Sequence, residues 1–259
     1  MLGAIAGDII GSVYEFSPVK RTNFPLLQEK SAFTDDTVLT VAIAESLLIG
    51  KSYAAALKHW GRRYPNAGYG KNFYQWLMSR CSVPYGSWGN GSAMRVSPVG
   101  WAFSTLEETL KQATLTAMPT HDHPEGIRGA QAVAGAVWMA RRQHSKEEIR
   151  DWIEHEIGYT LTATVAEIRQ SYTFDVSCAG SVPQAIQCFL EAGNTEEAIR
   201  NAVSLGGDAD TQACMAGAIG EAMWGIDKAL EAAVLEHLPE NMLEITEQFR
   251  TRFAGQNQK

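Results

Sequence analysis

The chain has 259 residues, 45% of them hydrophobic and 20% charged, with a formal net charge of -7. Such a composition fills a core without disulfide staples and carries no signature of disorder. The negative balance excludes a general nucleic-acid backbone binder, which needs a basic face, and fits a protein with an acidic site.

The opening stretch MLGAIAGDII is apolar, but it has no basic n-region and Asp8 interrupts it, so it does not read as a signal peptide. Asp8 itself either supports a polar site from behind or satisfies nearby backbone at the first helix. Residues 36–49 are apolar on nearly every side and end at Gly50, the pattern of a central, buried helix. The 61–92 region, rich in Gly, Tyr and Trp, reads as loops with short helices, a composition that shapes clefts. A helix is expected over 105–117, where Thr105 precedes an acidic first turn at Glu107 and Glu108. Another is expected over 125–142, with small apolar side chains at helical spacing and Arg141 and Arg142 at its negative end.

Further helices are expected at 145–156, 180–192, 195–204, 209–224 and 240–252. Strand alternation is lacking, so the fold class is all-α, a compact many-helix single domain over 1–253 with a short polar tail at 254–259. No run approaches the roughly 20 apolar residues of a membrane span. Trp60, Trp101, Trp138, Trp152 and Trp224 fall within helical patterns and are expected in the core. Cys81, Cys178, Cys188 and Cys214 lie far apart with no CxxC pair. The apolar neighbours of Cys188 and Cys214 predict buried, reduced thiols and favour a cytoplasmic location.

Two segments concentrate oxygen donors directly before helices. One is Phe33-Thr34-Asp35-Asp36-Thr37, and the other is Gly206-Gly207-Asp208-Ala209-Asp210-Thr211. A helix N-terminus needs one Thr or Asp as its cap, stabilising it by about 1 kcal/mol. Each cluster offers three candidate oxygens, and crowded carboxylates repel unless a cation or protons neutralise them. A hard divalent cation takes such ligands. Spacing alone leaves capping and metal binding both open. Zinc fits poorly, because His121 and His123 have no cysteine or third histidine at ligand spacing. No GxSxG elbow and no activated cysteine supports a nucleophilic mechanism.

Arg95, inside an apolar stretch, is expected in a structural ion pair with a buried carboxylate, the other reading being contact with phosphate. Asn90, between two glycines, serves a turn or a ligand equally well. Trp88, in a Gly-rich loop, suits stacking on a nucleobase. His123 before Pro124 suits a helix start.

In order along the chain, Gly7-Asp8-Ile9-Ile10-Gly11 with Glu15, Thr34-Asp35-Asp36-Thr37, Gly89-Asn90-Gly91-Ser92-Ala93-Met94-Arg95, and Gly206-Gly207-Asp208-Ala209-Asp210-Thr211 resemble the ADP-ribosylglycohydrolases related to dinitrogenase reductase-activating glycohydrolase. Thr120-His121 sits where that family has a Thr-His in its cleft. The resemblance implies an all-α fold and two magnesium ions, with manganese as a substitute. It implies the metal ligands Thr34, Asp35, Asp36, Asp208, Asp210 and Thr211, with Asp210 bridging. Glu15, with Asp36 and Asp210, is the implied catalytic set at the scissile ribose. Ser87, Trp88, Gly89, Asn90, Gly91 and Ser92 are implied to hold diphosphate and ribose, and His121 to contact the ligand.

The implied activity is hydrolysis of the bond between the distal ribose of ADP-ribose and an acceptor, and the implied partner is an ADP-ribosylated protein or small molecule. A metal-dependent phosphohydrolase and a catalytically silent ADP-ribose binder stand as the alternatives. The family often has Thr between the two aspartates of its last block, and this chain has Ala209 there. Neither a membrane nor a general nucleic-acid partner is expected, and nothing in the sequence specifies an oligomeric state.

Overall fold

The computed structural model describes residues 1–253, so the tail expected at 254–259 lies outside the described residues. The helices are, in order, α1 (Leu2–Gly11), α2 (Asp35–Ile49), α3 (Tyr53–Arg63), α4 (Lys71–Met78), α5 (Gly91–Met94), α6 (Ser97–Ala102), α7 (Leu106–Ala117) and α8 (Pro124–Arg141). They continue with α9 (Lys146–Trp152), α10 (Val165–Ser171), α11 (Cys178–Leu190), α12 (Thr195–Val203), α13 (Ala209–Trp224), α14 (Lys228–Leu235) and α15 (Glu240–Phe253). Among the described residues there is no strand, and Gly89 and Ser177 form an isolated backbone bridge. No described helix is long and apolar enough to cross a membrane.

Local chemistry sets most helix ends. Ser52, Thr105, Ser177 and Asn194 cap their helices through side-chain oxygens, and Ser145 with Glu148 and Thr164 with Glu167 form reciprocal capping boxes. Gly50, at φ 70°, closes α2 in the left-handed region. His123 caps α8 ahead of Pro124, as its position predicted. The helix expected over 145–156 stops being α-helical at Trp152 and continues as a π-turn, Ile153–Ile157. The helix expected from 180 starts two residues earlier, at Cys178, because Ser177 supplies the cap.

α13 is buried along nearly its whole length and forms the axis of the core, with α1, α8, α11 and α12 packed around it. Every residue of α1 is buried. The two helices approach closely because the contact is made by Gly3, Gly7 and Gly11 on α1 and Gly217 on α13. A Cβ at Gly7 would collide with the Ala213 backbone, and one at Gly11 would collide with the backbone of Asp210. α2 packs on α1 and α3, so the start of α2, the end of α1 and the start of α13 converge on one spot.

Trp60 is buried at 2% exposure, as expected of a core residue, but Trp101, Trp138, Trp152 and Trp224 are only half-buried. Their rings cover helix edges. Arg141 and Arg142 stack over Trp101 and Trp138, so these indoles serve as lids over the core. Cys178, Cys188 and Cys214 are free and buried, while Cys81 is free and exposed.

Candidate active site

The convergence of α1, α2 and α13 gathers carboxylates. Oxygens of Asp8, Asp36 and Asp210 lie within 4.8 Å of one another, and those of Glu15, Asp208 and Asp210 form a second such group. Asp210 belongs to both. None of these carboxylates has a cationic partner among the described residues.

Capping accounts for little of this. Thr34 caps α2, its Oγ1 accepting from the Asp36 amide at 3.3 Å. The same hydroxyl donates to Asp8 Oδ1 at 2.6 Å. Asp8 also accepts from the amides of Thr34 and Thr37 at 2.9 and 3.0 Å and from the Thr37 hydroxyl, so it clamps the first turn of α2 from behind. That is the supporting role its position allowed. Asp208 precedes α13 without capping it. Its Oδ2 accepts from Asn90 Nδ2 at 2.7 Å instead, and Asn90 also reaches Ser181. Asn90 is therefore a strut between the glycine loop and the second acidic cluster. Thr211 donates to Asp36 Oδ2 at 3.2 Å, joining the two clusters, and Asp36 Oδ1 is buried with no partner.

The electrostatic result is strain. Burial, then the charges of Asp8 and Asp210, hold the Asp36 carboxyl well above the ordinary carboxylate range. Asp35 is raised well above that range by burial and by Asp210 and Asp8, and Asp210 by burial, Asp208 and Asp8. Burial pushes Asp208 up to about 6 despite the hydrogen bond from Asn90. Glu15, half-buried at the cleft mouth, is pushed up to about 7 by burial and by the charges of Asp210 and Asp8. A set of hard oxygens held in mutual repulsion, one of them an orphaned buried oxygen, has the donor chemistry of a site for divalent cations.

Above this floor opens a cleft of about 590 Å³. Thr34, Asp35, Asp36, Asp208, Asp210, Thr211 and Glu15 all line it. One wall is Gly68 and the start of α4, from Gly70 to Phe73. The 85–91 loop adds Ser87, Trp88, Gly89, Asn90 and Gly91 to the lining, together with Arg95 and His121. Trp88 is 53% exposed at the rim, beside Phe174 and Val176 from the segment before α11. Ser92 departs from its expected place. It is fully buried, its hydroxyl donates to the Gly126 carbonyl at 2.6 Å, and it lies beneath the loop instead of lining the cleft.

Arg95 also departs from expectation. Among the described residues it makes no ion pair. One guanidinium nitrogen donates to the Thr116 carbonyl at 2.9 Å and to Thr120 Oγ1 at 2.8 Å, while Nε and Nη1 have no partner. Backbone and hydroxyl oxygens took the place of the carboxylate. Phe174, Val176 and the α4 wall were not anticipated. No local pattern marks a residue as facing a cleft built by remote loops.

An all-helical scaffold with a carboxylate floor under a glycine-loop cleft is the architecture of one class of hydrolase. The family model ADP-ribosylglycohydrolase matches residues 1–259, and the chain belongs to that family of glycosidase-type hydrolases. It is 28% identical to human ADP-ribosylhydrolase ARH3, covering 90% of this chain and 86% of that protein. It is 24% identical to ADP-ribosylarginine hydrolase Tri1 of Pseudomonas putida (strain GB-1), covering 87% and 70%. A solved structure titled ADP-ribosylglycohydrolase-related protein complex shares the fold at a TM-score of 0.73, with 22% identity and 96% coverage of both chains.

Proposed function

We propose that the chain is a magnesium-dependent ADP-ribosyl glycohydrolase that cuts the bond between the distal ribose of ADP-ribose and an acceptor. The observation that carries this reading is the carboxylate floor, which converges on Asp210 and lacks any cation supplied by the described residues. Thr34, Asp35 and Asp36 from α2, with Asp208, Asp210 and Thr211 from α13, would hold two ions. When bound, such ions neutralise the carboxylates, orient ribose hydroxyls and lower the pKa of water. Manganese satisfies the same oxygen donors.

The protein's own groups have separate tasks. Breaking a glycosidic bond builds positive charge on the ribose, and the carboxylate-lined floor stabilises it electrostatically. Glu15 stands beside Asp208 and Asp210, a half-buried carboxyl placed to carry a proton to or from the scissile bond. The glycines at 89 and 91 allow close backbone approach to diphosphate, and Trp88 offers a ring face to the adenine. The start of α4, from Gly70 to Phe73, adds polar and aromatic lining on which an acceptor could rest.

The test is a panel of arginine-linked, serine-linked and nucleobase-linked ADP-ribose, assayed with magnesium and with chelator. The expected product is intact ADP-ribose, formed with magnesium and lost with chelator. A cleaved pyrophosphate would make the protein a phosphohydrolase, and tight binding without turnover on any acceptor would make it an ADP-ribose binder.

A further inference from the structure

Arg95, directly after α5, is fully buried among the residues that line the cleft and makes no ion pair with a carboxylate among the described residues. A guanidinium can only donate, so its 2.8 Å contact with Thr120 Oγ1 makes that oxygen an acceptor. Thr120 Oγ1 lies 2.7 Å from His121 Nδ1, and among the described residues Arg95 and His121 are its side-chain partners. Were Nδ1–H to donate to Thr120, the hydroxyl hydrogen of a fully buried threonine would be left without an acceptor. A doubly protonated imidazole is disfavoured by burial and by Arg95. The arrangement that satisfies every atom runs one way, from Arg95 to Thr120 Oγ1 and from the Thr120 hydroxyl to His121 Nδ1. The ring proton then sits on Nε2.

Nε2 faces the glycine loop. A Cβ at Gly91 would lie 3.1 Å from it and one at Gly89 3.9 Å, and His121 lines the cleft. Tyr85, whose ring centre is 6.2 Å from that of His121, is the other titratable neighbour on this wall. We propose that Arg95 and Thr120 are positioning residues that lock His121 in the Nε2–H tautomer, so that it presents one fixed donor to a phosphoryl oxygen of the ligand. The identity of that ligand rests on the function proposed above, whereas the lock itself does not. Arg95 also brings a fixed positive charge to the cleft lining, with its Nε and Nη1 unpartnered among the described residues.

The experiment is 15N NMR of histidine side chains in the full chain, with the His121 signals assigned by their loss in His121→Asn, together with calorimetric titration of free ADP-ribose in magnesium. The wild type should show a single tautomer with the proton on Nε2. Thr120→Val leaves Arg95 its bond to the Thr116 carbonyl. It should release the lock, giving mixed tautomers and weakening ADP-ribose by about tenfold or more. Thr120→Ser should restore both readouts. A wild-type ring protonated on Nδ1, or exchanging freely between its two nitrogens, overturns the proposal even if the variants fold poorly. Unchanged tautomer and affinity in Thr120→Val overturn it as well. A locked Nε2–H ring in a protein that does not bind ADP-ribose upholds the lock and removes the proposed function instead.

Discussion

Asp210 is the carboxylate on which both acidic groups depend, which gives its replacement a distinctive expected pattern. Asp210→Asn should lower magnesium affinity and turnover by about 100-fold or more, since even the outer partners of metal ligands are worth 10 to 100-fold. Without metal the same variant should be at least as heat-stable as the wild type, because a repelling buried charge has gone. A variant that binds magnesium normally in a calorimeter would remove Asp210 from the ligand set. Glu15→Gln should leave magnesium binding intact while turnover falls by about 100 to 10,000-fold, the range for a lost proton carrier. Trp88→Ala should weaken ADP-ribose by about 1–3 kcal/mol, the value of one base–aromatic stack, and abolish the quenching of tryptophan fluorescence on binding. The acidic residues and the glycine loop were readable from the sequence because short motifs carry them. The surroundings of Arg95 and Ser92 were not. A charged residue in an apolar stretch announces a need for partners, but whether a carboxylate or a carbonyl and a hydroxyl meet that need is decided by α7 and its exit turn.

The long helices were legible from caps and periodicity. α2, α7, α8, α11, α12, α13 and α15 lie within two residues of expectation, whereas nothing in the sequence reading corresponds to α3, α5, α6, α10 and α14, and α4 falls in the 61–92 region read as loops with short helices. α4 buries Phe73, Trp76 and Leu77 at helical spacing against α3, a pattern masked by the Gly- and Tyr-rich stretch around it. Sequence also marked Gly7 and Gly11 only as parts of a motif. The structure shows their physical task, which is to let α1 lie against α13 with backbone touching backbone. Gly7→Ala should therefore destabilise the fold by about 1–3 kcal/mol, as overpacking does. Scanning calorimetry should show a Tm lower by several degrees, together with weaker magnesium binding, since the step between Asp8 and Asp210 would widen. An unaltered Tm would mean that the two helices are not in such close contact.

Over the protein as a whole, the buried acids make stability depend on pH in an unusual direction. Asp8, Glu15, Asp35, Asp36, Asp208 and Asp210 all titrate higher in the folded chain than their ordinary values of 3.8 and 4.5, Asp208 at about 6 and Glu15 at about 7. Above those ordinary values the folded form holds more protons than the unfolded one, so raising the pH favours unfolding until the folded groups have also ionised. In chelator the Tm should fall between pH 5 and pH 7.5, and saturating magnesium should flatten or reverse that slope. A chelated protein whose Tm rises over that interval would show that the acids are not in mutual repulsion. The glycine seam between α1 and α13 has one more effect. Because main chain meets main chain there, no aliphatic side chain of the seam stands between Asp8 on α1 and Asp210 on α13. The spacing of Asp8 and Asp210 is then set by main chain alone, and exchange of leucine for methionine or valine elsewhere in the interior should leave that pair in place.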